Sequence, residues 1–137
     1  MHIDGGCHCG SIRYEAEINP DNVRLCHCTD CQVMSGSAFR VVVQAPRAGF
    51  KLLKGTPKTY VKTAESGNKR VQAFCADCGT SLYAAPAVDD PPTYGLRVGT
   101  IRQRAQLKPA RQIWCRSKLG WVPDFPDMPA SPGQPPA

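Results

Sequence analysis

The sequence predicts a mainly β domain, and three observations predict it. Apolar and charged residues alternate in short runs, turn-forming residues separate those runs, and only one brief stretch reads as helical. The length of 137 residues, with 42% apolar and 20% charged, suits one domain with a modest core rather than two.

The elements follow in order. From Ser11, the residues Ile12, Tyr14, Ala16 and Ile18 share one phase while Arg13, Glu15 and Glu17 share the other, as in a half-buried strand. "NPDN" (19–22) is a turn, and 23–26 is a short strand. "DCQVMSGS" makes one helical turn that ends near Gly36. "AFRVVVQA" (38–45) is rich in β-branched residues and reads as a strand. "PRAG" turns, "FKLLKG" is readable as strand or helical turn, and "PKTYVKTA" is a strand. "ESGNK" (65–69) is a hairpin connection into a strand over 70–75, with Val71 and Ala73 on one face. "CADCGTSLYAA" holds a C-x-x-C-G turn and then a strand. A loop covers 86–92, and a strand interrupted by glycines covers 93–101. "RQIWCRS" (111–117) is the last strand, with Ile113 and Cys115 facing one way. The expected domain is therefore 1–122. In 123–137 six of the fifteen residues are proline, which predicts a disordered tail.

No apolar run approaches the length of a membrane span, so no membrane partner is expected. "MHIDGGCHCG" has no basic region followed by an apolar stretch, so no export signal is expected and the protein is placed in the cytoplasm. The formal charge is +6, but the lysines and arginines are scattered and lack interleaved aromatic residues. That reads first as a solvated surface, then as an anion-attracting site, and disfavours a nucleic-acid partner.

The eight cysteines carry the most information. Seven sit in C-x-C, C-x-C-x-x-C and C-x-x-C groups, a spacing that suits metal ions in a reducing compartment better than disulfides. On an extended segment Cys7 and Cys9 point to one face, and the C-x-x-C turn makes Cys75 and Cys78 converge. Together these four complete a closed tetrahedral site, a structural staple with no open position.

Cys26, Cys28 and Cys31 form a second group with one ligand too few for a closed site. Water, an incoming thiolate, His27, Asp30 or Cys115 could fill the fourth place. His27 points away from the sulfurs on an extended chain and reads as a surface histidine or one behind the ligands; Asp30 reads as a helix cap. Cys115 reads first as a buried free thiol. The open site makes the trio the candidate catalytic centre. Its charge favours a soft thiolate as fourth ligand, which points to carbon–sulfur bond chemistry on an aldehyde. Ser35, Ser37, Arg40 and Arg70 are candidates to steady an oxyanion.

"GGCHCGSIRYE", "CHCTDCQVMSGSAF" and "FCADCGTSLY" resemble the family of glutathione-dependent formaldehyde-activating enzymes and centromere protein V, over most of 3–122. The resemblance implies the Mss4-like fold, a twisted β architecture with zinc-binding knuckles. It implies two Zn²⁺ ions, a structural one on Cys7, Cys9, Cys75 and Cys78 and a catalytic one on Cys26, Cys28 and Cys31. It also implies a carbon–sulfur lyase acting on a small thiol–aldehyde adduct such as S-hydroxymethylglutathione, with glutathione as the small thiol partner. Gln112 stands where members often carry histidine, a departure that bears on the substrate. The alternatives are a zinc-stabilised module that binds protein or nucleic acid without catalysis, and a redox sensor that releases metal. Thiolates would also accept iron.

Overall fold

A computed structural model describes residues 1–122, together with Pro129 and Pro132. The rest of the expected proline-rich tail lies outside the described residues. Ten strands, one α-helix and several 3₁₀ turns make up the described chain.

A small antiparallel sheet joins β1 (His2–Gly6), β2 (Arg13–Glu17) and β5 (Phe50–Lys54) in that order. The large sheet uses β3 (Arg24–Cys26), β4 (Arg40–Pro46), β6 (Lys58–Thr63), β7 (Lys69–Phe74), β8 (Ser81–Pro86), β9 (Thr93–Arg97) and β10 (Arg111–Ile113). Its order is β10-β3-β4-β9-β8-β7-β6. All its pairs are antiparallel except β10 with β3. The helix α1 (Thr29–Ser35) follows β3 directly and stops at Gly36, whose φ of 62° suits a residue without a Cβ.

The alternation read from Ser11 sets the packing. Ile12, Tyr14, Ala16 and Ile18 are all buried. They join Val43 and Ala45 of β4 and Leu96 of β9 in one core shared by the two sheets. Each such side chain removed from water contributes about 1.5–3 kcal/mol if it is of valine size or larger. Phe50 of β5 stacks on Tyr94 of β9 at 4.4 Å, and Tyr83 of β8 meets Tyr94 edge-on at 5.1 Å. This aromatic group ties the small sheet to the large one.

Three details are open or read differently in the local pattern, and the strand expected over 93–101 likewise ends at Arg97, where a 3₁₀ turn over Val98–Thr100 follows. β1 is a strand although its sequence, "HIDGG", has a single apolar residue. Ile3, 0% exposed, is the position where β1 enters the core, and pairing with β2 orders the rest. "FKLLKG" resolves as strand β5, because it pairs with β2 rather than because of its own pattern. The last strand ends at Ile113 rather than 117. Trp114 takes a left-handed φ of 58°, which turns the chain into a 3₁₀ segment, Cys115–Ser117.

One face of the large sheet is committed to the core. The opposite face of β4, β9 and β7 carries Arg40, Val42, Gln44, Gly95, Arg97, Arg70 and Gln72, and it floors an open cavity. No helix among the described residues is long and apolar enough to cross a membrane.

Candidate functional site

All eight cysteines are free thiols. Seven of them gather into two groups, Cys7, Cys9, Cys75 and Cys78, and Cys26, Cys28 and Cys31. Within each group the sulfurs all lie within 4.8 Å of one another.

The four-thiol group is built from two turns. Cys7 follows β1 and Cys9 lies in the turn after it; Cys75 follows β7 and Cys78 lies in the turn before β8. Cys9 is thus on a turn rather than on the extended segment expected, and convergence comes from the turn. The amide of Ile12 donates to the Cys7 sulfur at 3.2 Å. Gly79, with a φ of 79°, lets its amide reach the Cys75 carbonyl at 2.8 Å and closes the second turn. The Thr80 hydroxyl beside Cys78 lowers that thiol's pKa to about 5. A tetrahedral site with metal–sulfur bonds of about 2.3 Å places its sulfurs about 3.8 Å apart. The Cys7–Cys9 and Cys9–Cys75 separations are 3.6 and 3.8 Å, so the donor set fits such an ion.

The three-thiol group sits where β3 passes into α1. Cys26 ends β3, Cys28 caps the helix and Cys31 lies in its first turn. The Cys28 sulfur accepts the Cys31 amide at 3.1 Å, and the Cys31 and Cys26 sulfurs are 3.4 Å apart. Hydrogen bonds from Cys26 and then Cys31 hold the Cys28 thiol down at about 2, while the same neighbours push Cys31 far upward. Three sulfurs this close together are a donor set that a soft cation completes.

None of the other protein groups considered for a fourth ligand joins this trio among the described residues. His27 is fully buried rather than at the surface; its Nε2 donates to Gln112 Oε1 at 2.8 Å and its ring meets Phe39 edge-on. Asp30 does not cap the helix but pairs with Lys62 at 2.8 Å. Cys115 is exposed rather than buried, because the turn at Trp114 takes it out of the strand.

The trio forms part of the wall of a cavity of about 670 Å³. Six of the chain's 17 lysines and arginines line it: Arg24, Arg40, Lys62, Arg70, Arg97 and Arg116. The positive charge is scattered along the sequence and gathered here in space, which a solvated surface does not require. Two carboxylates also line it, and both are engaged, Asp30 by Lys62 and Glu65 by Arg116. The Arg116 guanidinium also lies 4.8 Å from the centre of the Trp114 ring at the rim.

Of the residues proposed to steady an oxyanion, Arg40 and Arg70 line the cavity, whereas Ser35 and Ser37 do not. The Ser35 hydroxyl donates to the Gln32 carbonyl instead. Arg97, Gln72 and Lys62 were not legible as site residues. One signal was present: "GLRVG" and "FRVVV" each place an arginine inside an apolar strand, where a charge requires a reason.

A family profile described as "Glutathione-dependent formaldehyde-activating enzyme" matches residues 2–117. A Penicillium rubens protein that carries the same family's name is 32% identical over 87 residues, 62% of this chain and 44% of that protein. A Halomonas elongata protein also carrying the name is 24% identical over 87 residues, 61% of this chain and 55% of that protein. An uncharacterized lyase of Schizosaccharomyces pombe is 28% identical over 88 residues, 60% and 56% of the two chains. The chain thus spans about half the length of the curated relatives it matches. A crystal structure of a Rhodobacter sphaeroides protein superposes with a TM-score of 0.61 at 19% identity, covering 80% of this chain and 98% of the other, which shows a shared fold.

Proposed function

Since the chain belongs to the glutathione-dependent formaldehyde-activating enzyme family and has its Mss4-like β architecture, we propose that its cavity is the site of a zinc-dependent carbon–sulfur lyase. The substrate is a small thiol–aldehyde adduct, with S-hydroxymethylglutathione the first candidate. The observation that carries this reading is the position of the trio: three convergent thiols stand on the wall of a cavity wide enough for a small molecule.

Cys26, Cys28 and Cys31 would hold the ion at the cavity, and Cys7, Cys9, Cys75 and Cys78 a second, closed one. A zinc ion bound by three thiolates supplies a place where a thiol loses its proton and is fixed in position. The chain's own residues supply the rest. Cations around the cavity draw in an anionic thiol such as glutathione. The Lys62–Asp30 and Arg116–Glu65 pairs brace β6 and the following hairpin against α1 and the segment after β10. Cleavage breaks the carbon–sulfur bond and returns its electron pair to sulfur. The hydroxyl proton leaves as the carbonyl forms and sulfur gains one, so no oxidant or co-substrate is needed.

The test uses reduced, zinc-loaded full-length protein with glutathione and formaldehyde, followed by proton NMR exchange spectroscopy. Exchange through S-hydroxymethylglutathione should exceed the uncatalysed rate. Cys28→Ser should lower it at least about tenfold, while Lys51→Met, exposed on β5, should not. Wild-type exchange no faster than buffer, with this adduct and with other thiol–aldehyde pairs, would overturn the proposal.

A further inference from the structure

Arg40 and Arg97 are the two buried cations of the cavity floor, 7% and 8% exposed. Among the described residues neither has a carboxylate partner. Both guanidiniums instead converge on one neutral oxygen, Gln72 Oε1, from Arg40 Nη1 at 3.3 Å and from Arg97 Nη2 at 2.8 Å. Two further donors, Arg40 Nη2 and Arg97 Nε, are buried and have no partner among the described residues, sulfur included. A buried charge is costly unless paired, and a buried unpartnered donor adds to the cost. Burial, and then the neighbouring Arg40 charge, lowers the Arg97 pKa to about 9. The cavity's own carboxylates cannot relieve the pair, since Lys62 and Arg116 hold them.

The backbone leaves room for what would relieve it. Gly95 and Ala84, both small, line the floor beside the pair. Cys26 is the register partner of Arg40, and Val42 that of Arg97. With strands about 4.8 Å apart, the two arginines stand one and two strands from the trio. An anion on the guanidiniums would lie a few bonds from a group that meets the sulfurs.

We infer that Arg40 and Arg97, set by Gln72, form a carboxylate clamp on the cavity floor, and that the molecule processed at the trio carries a carboxylate near its reacting carbon or sulfur. The second half rests on the lyase reading; the clamp itself does not. The planar guanidinium fork matches the two oxygens of a carboxylate and restores a counter-charge to the pair. This goes beyond S-hydroxymethylglutathione, whose carboxylates lie only at the ends of the peptide, and places the carboxylate on the carbonyl partner, as in a short 2-oxo acid, or on a short thiol acid.

The experiment measures binding to the reduced full-length protein by calorimetry, with tryptophan fluorescence, to which Trp114 at the rim contributes alongside Trp121, as a second readout. One arm compares glyoxylate with glycolaldehyde, and the other compares mercaptoacetate with 2-mercaptoethanol. Wild-type protein should bind the charged member of at least one pair about tenfold more tightly. The arm that discriminates identifies which partner bears the carboxylate. Arg40→Met and Arg97→Met should each abolish the discrimination, and Lys51→Met should keep it. Circular dichroism checks that the variants fold, and the wild-type comparison needs no variant. Equal binding of charged and neutral members in both arms, discrimination that survives both arginine changes, or tighter binding of inorganic phosphate than of either carboxylate would overturn the clamp. Carboxylate binding without turnover of any adduct would instead sink the lyase reading and leave the clamp standing. Turnover without carboxylate preference would do the reverse.

Discussion

Replacing Cys75 and Cys28 by serine, one at a time, should separate the two thiol groups by what each does for stability. Serine is close to cysteine in size, so either change opens little cavity and mainly removes a ligand. The four-thiol group joins residues 66 apart in sequence, Cys9 and Cys75, whereas Cys26 and Cys31 are 5 apart. A cross-link restricts the unfolded chain roughly as the logarithm of the loop it closes. By that relation the long link is worth about 4 kcal/mol and the short one about 2 kcal/mol. At about 4 °C per kcal/mol for a chain of this length, Cys75→Ser should lower the melting temperature by about 15 °C and Cys28→Ser by about 8 °C. The assay is thermal unfolding by circular dichroism under reducing, zinc-replete conditions, with metal content measured on the same samples. A chelator should bring wild-type protein down to the Cys75→Ser level or below. Equal losses for the two variants, or a larger loss for Cys28→Ser, would refute the assignment of the staple to the four-thiol group. So would a Cys75→Ser protein that keeps both ions.

Three other predictions come from different parts of the structure. Gly5→Ala should destabilise the fold by about 2–4 kcal/mol in urea titrations, because its Cβ would stand 2.4 Å from the Thr100 carbonyl and 2.7 Å from the Tyr14 hydroxyl. Arg97→Met in anion-free buffer should raise the free energy of unfolding by about 1–3 kcal/mol in urea titrations, since it removes a buried charge held against a like charge; a loss of stability would mean that Gln72 alone satisfies the pair. The Arg102 guanidinium lowers the Asp4 pKa from 3.8 to about 2. Its ionised form therefore favours folding above pH 3.8, and that advantage is lost as pH falls towards 2. Asp4→Asn should thus melt below wild type at neutral pH, with the difference shrinking over that window in a series of melts, and a gap unchanged by pH would contradict it.

The local pattern made most elements legible. Alternation alone marks the buried face of β2, and β-branched residues mark β4. Gly36 marked the end of α1. Where local pattern was weak, pairing decided. β1 has one core residue, and β5 has a sequence that suits either state, so both take their form from β2. The end of β10 failed for a different reason: Trp114 adopts a backbone conformation that its residue type disfavours, and it does so at the rim of the cavity.

By itself the sequence determined which thiols could act together, because spacing of two or three residues limits where neighbouring sulfurs can point. It also determined the β class, since period-2 alternation has one structural outcome when one face must be buried. Only the tertiary structure decided the rest. It brought Cys9 to Cys75, withdrew His27 and Cys115 from the trio, and set Arg40, Arg97 and Gln72 around one point from three separate strands. The physical reason is that strand register, not sequence distance, fixes which side chains share a face of a sheet. A single step in the register of β4 or of β9 would have turned Arg40 or Arg97 into the core.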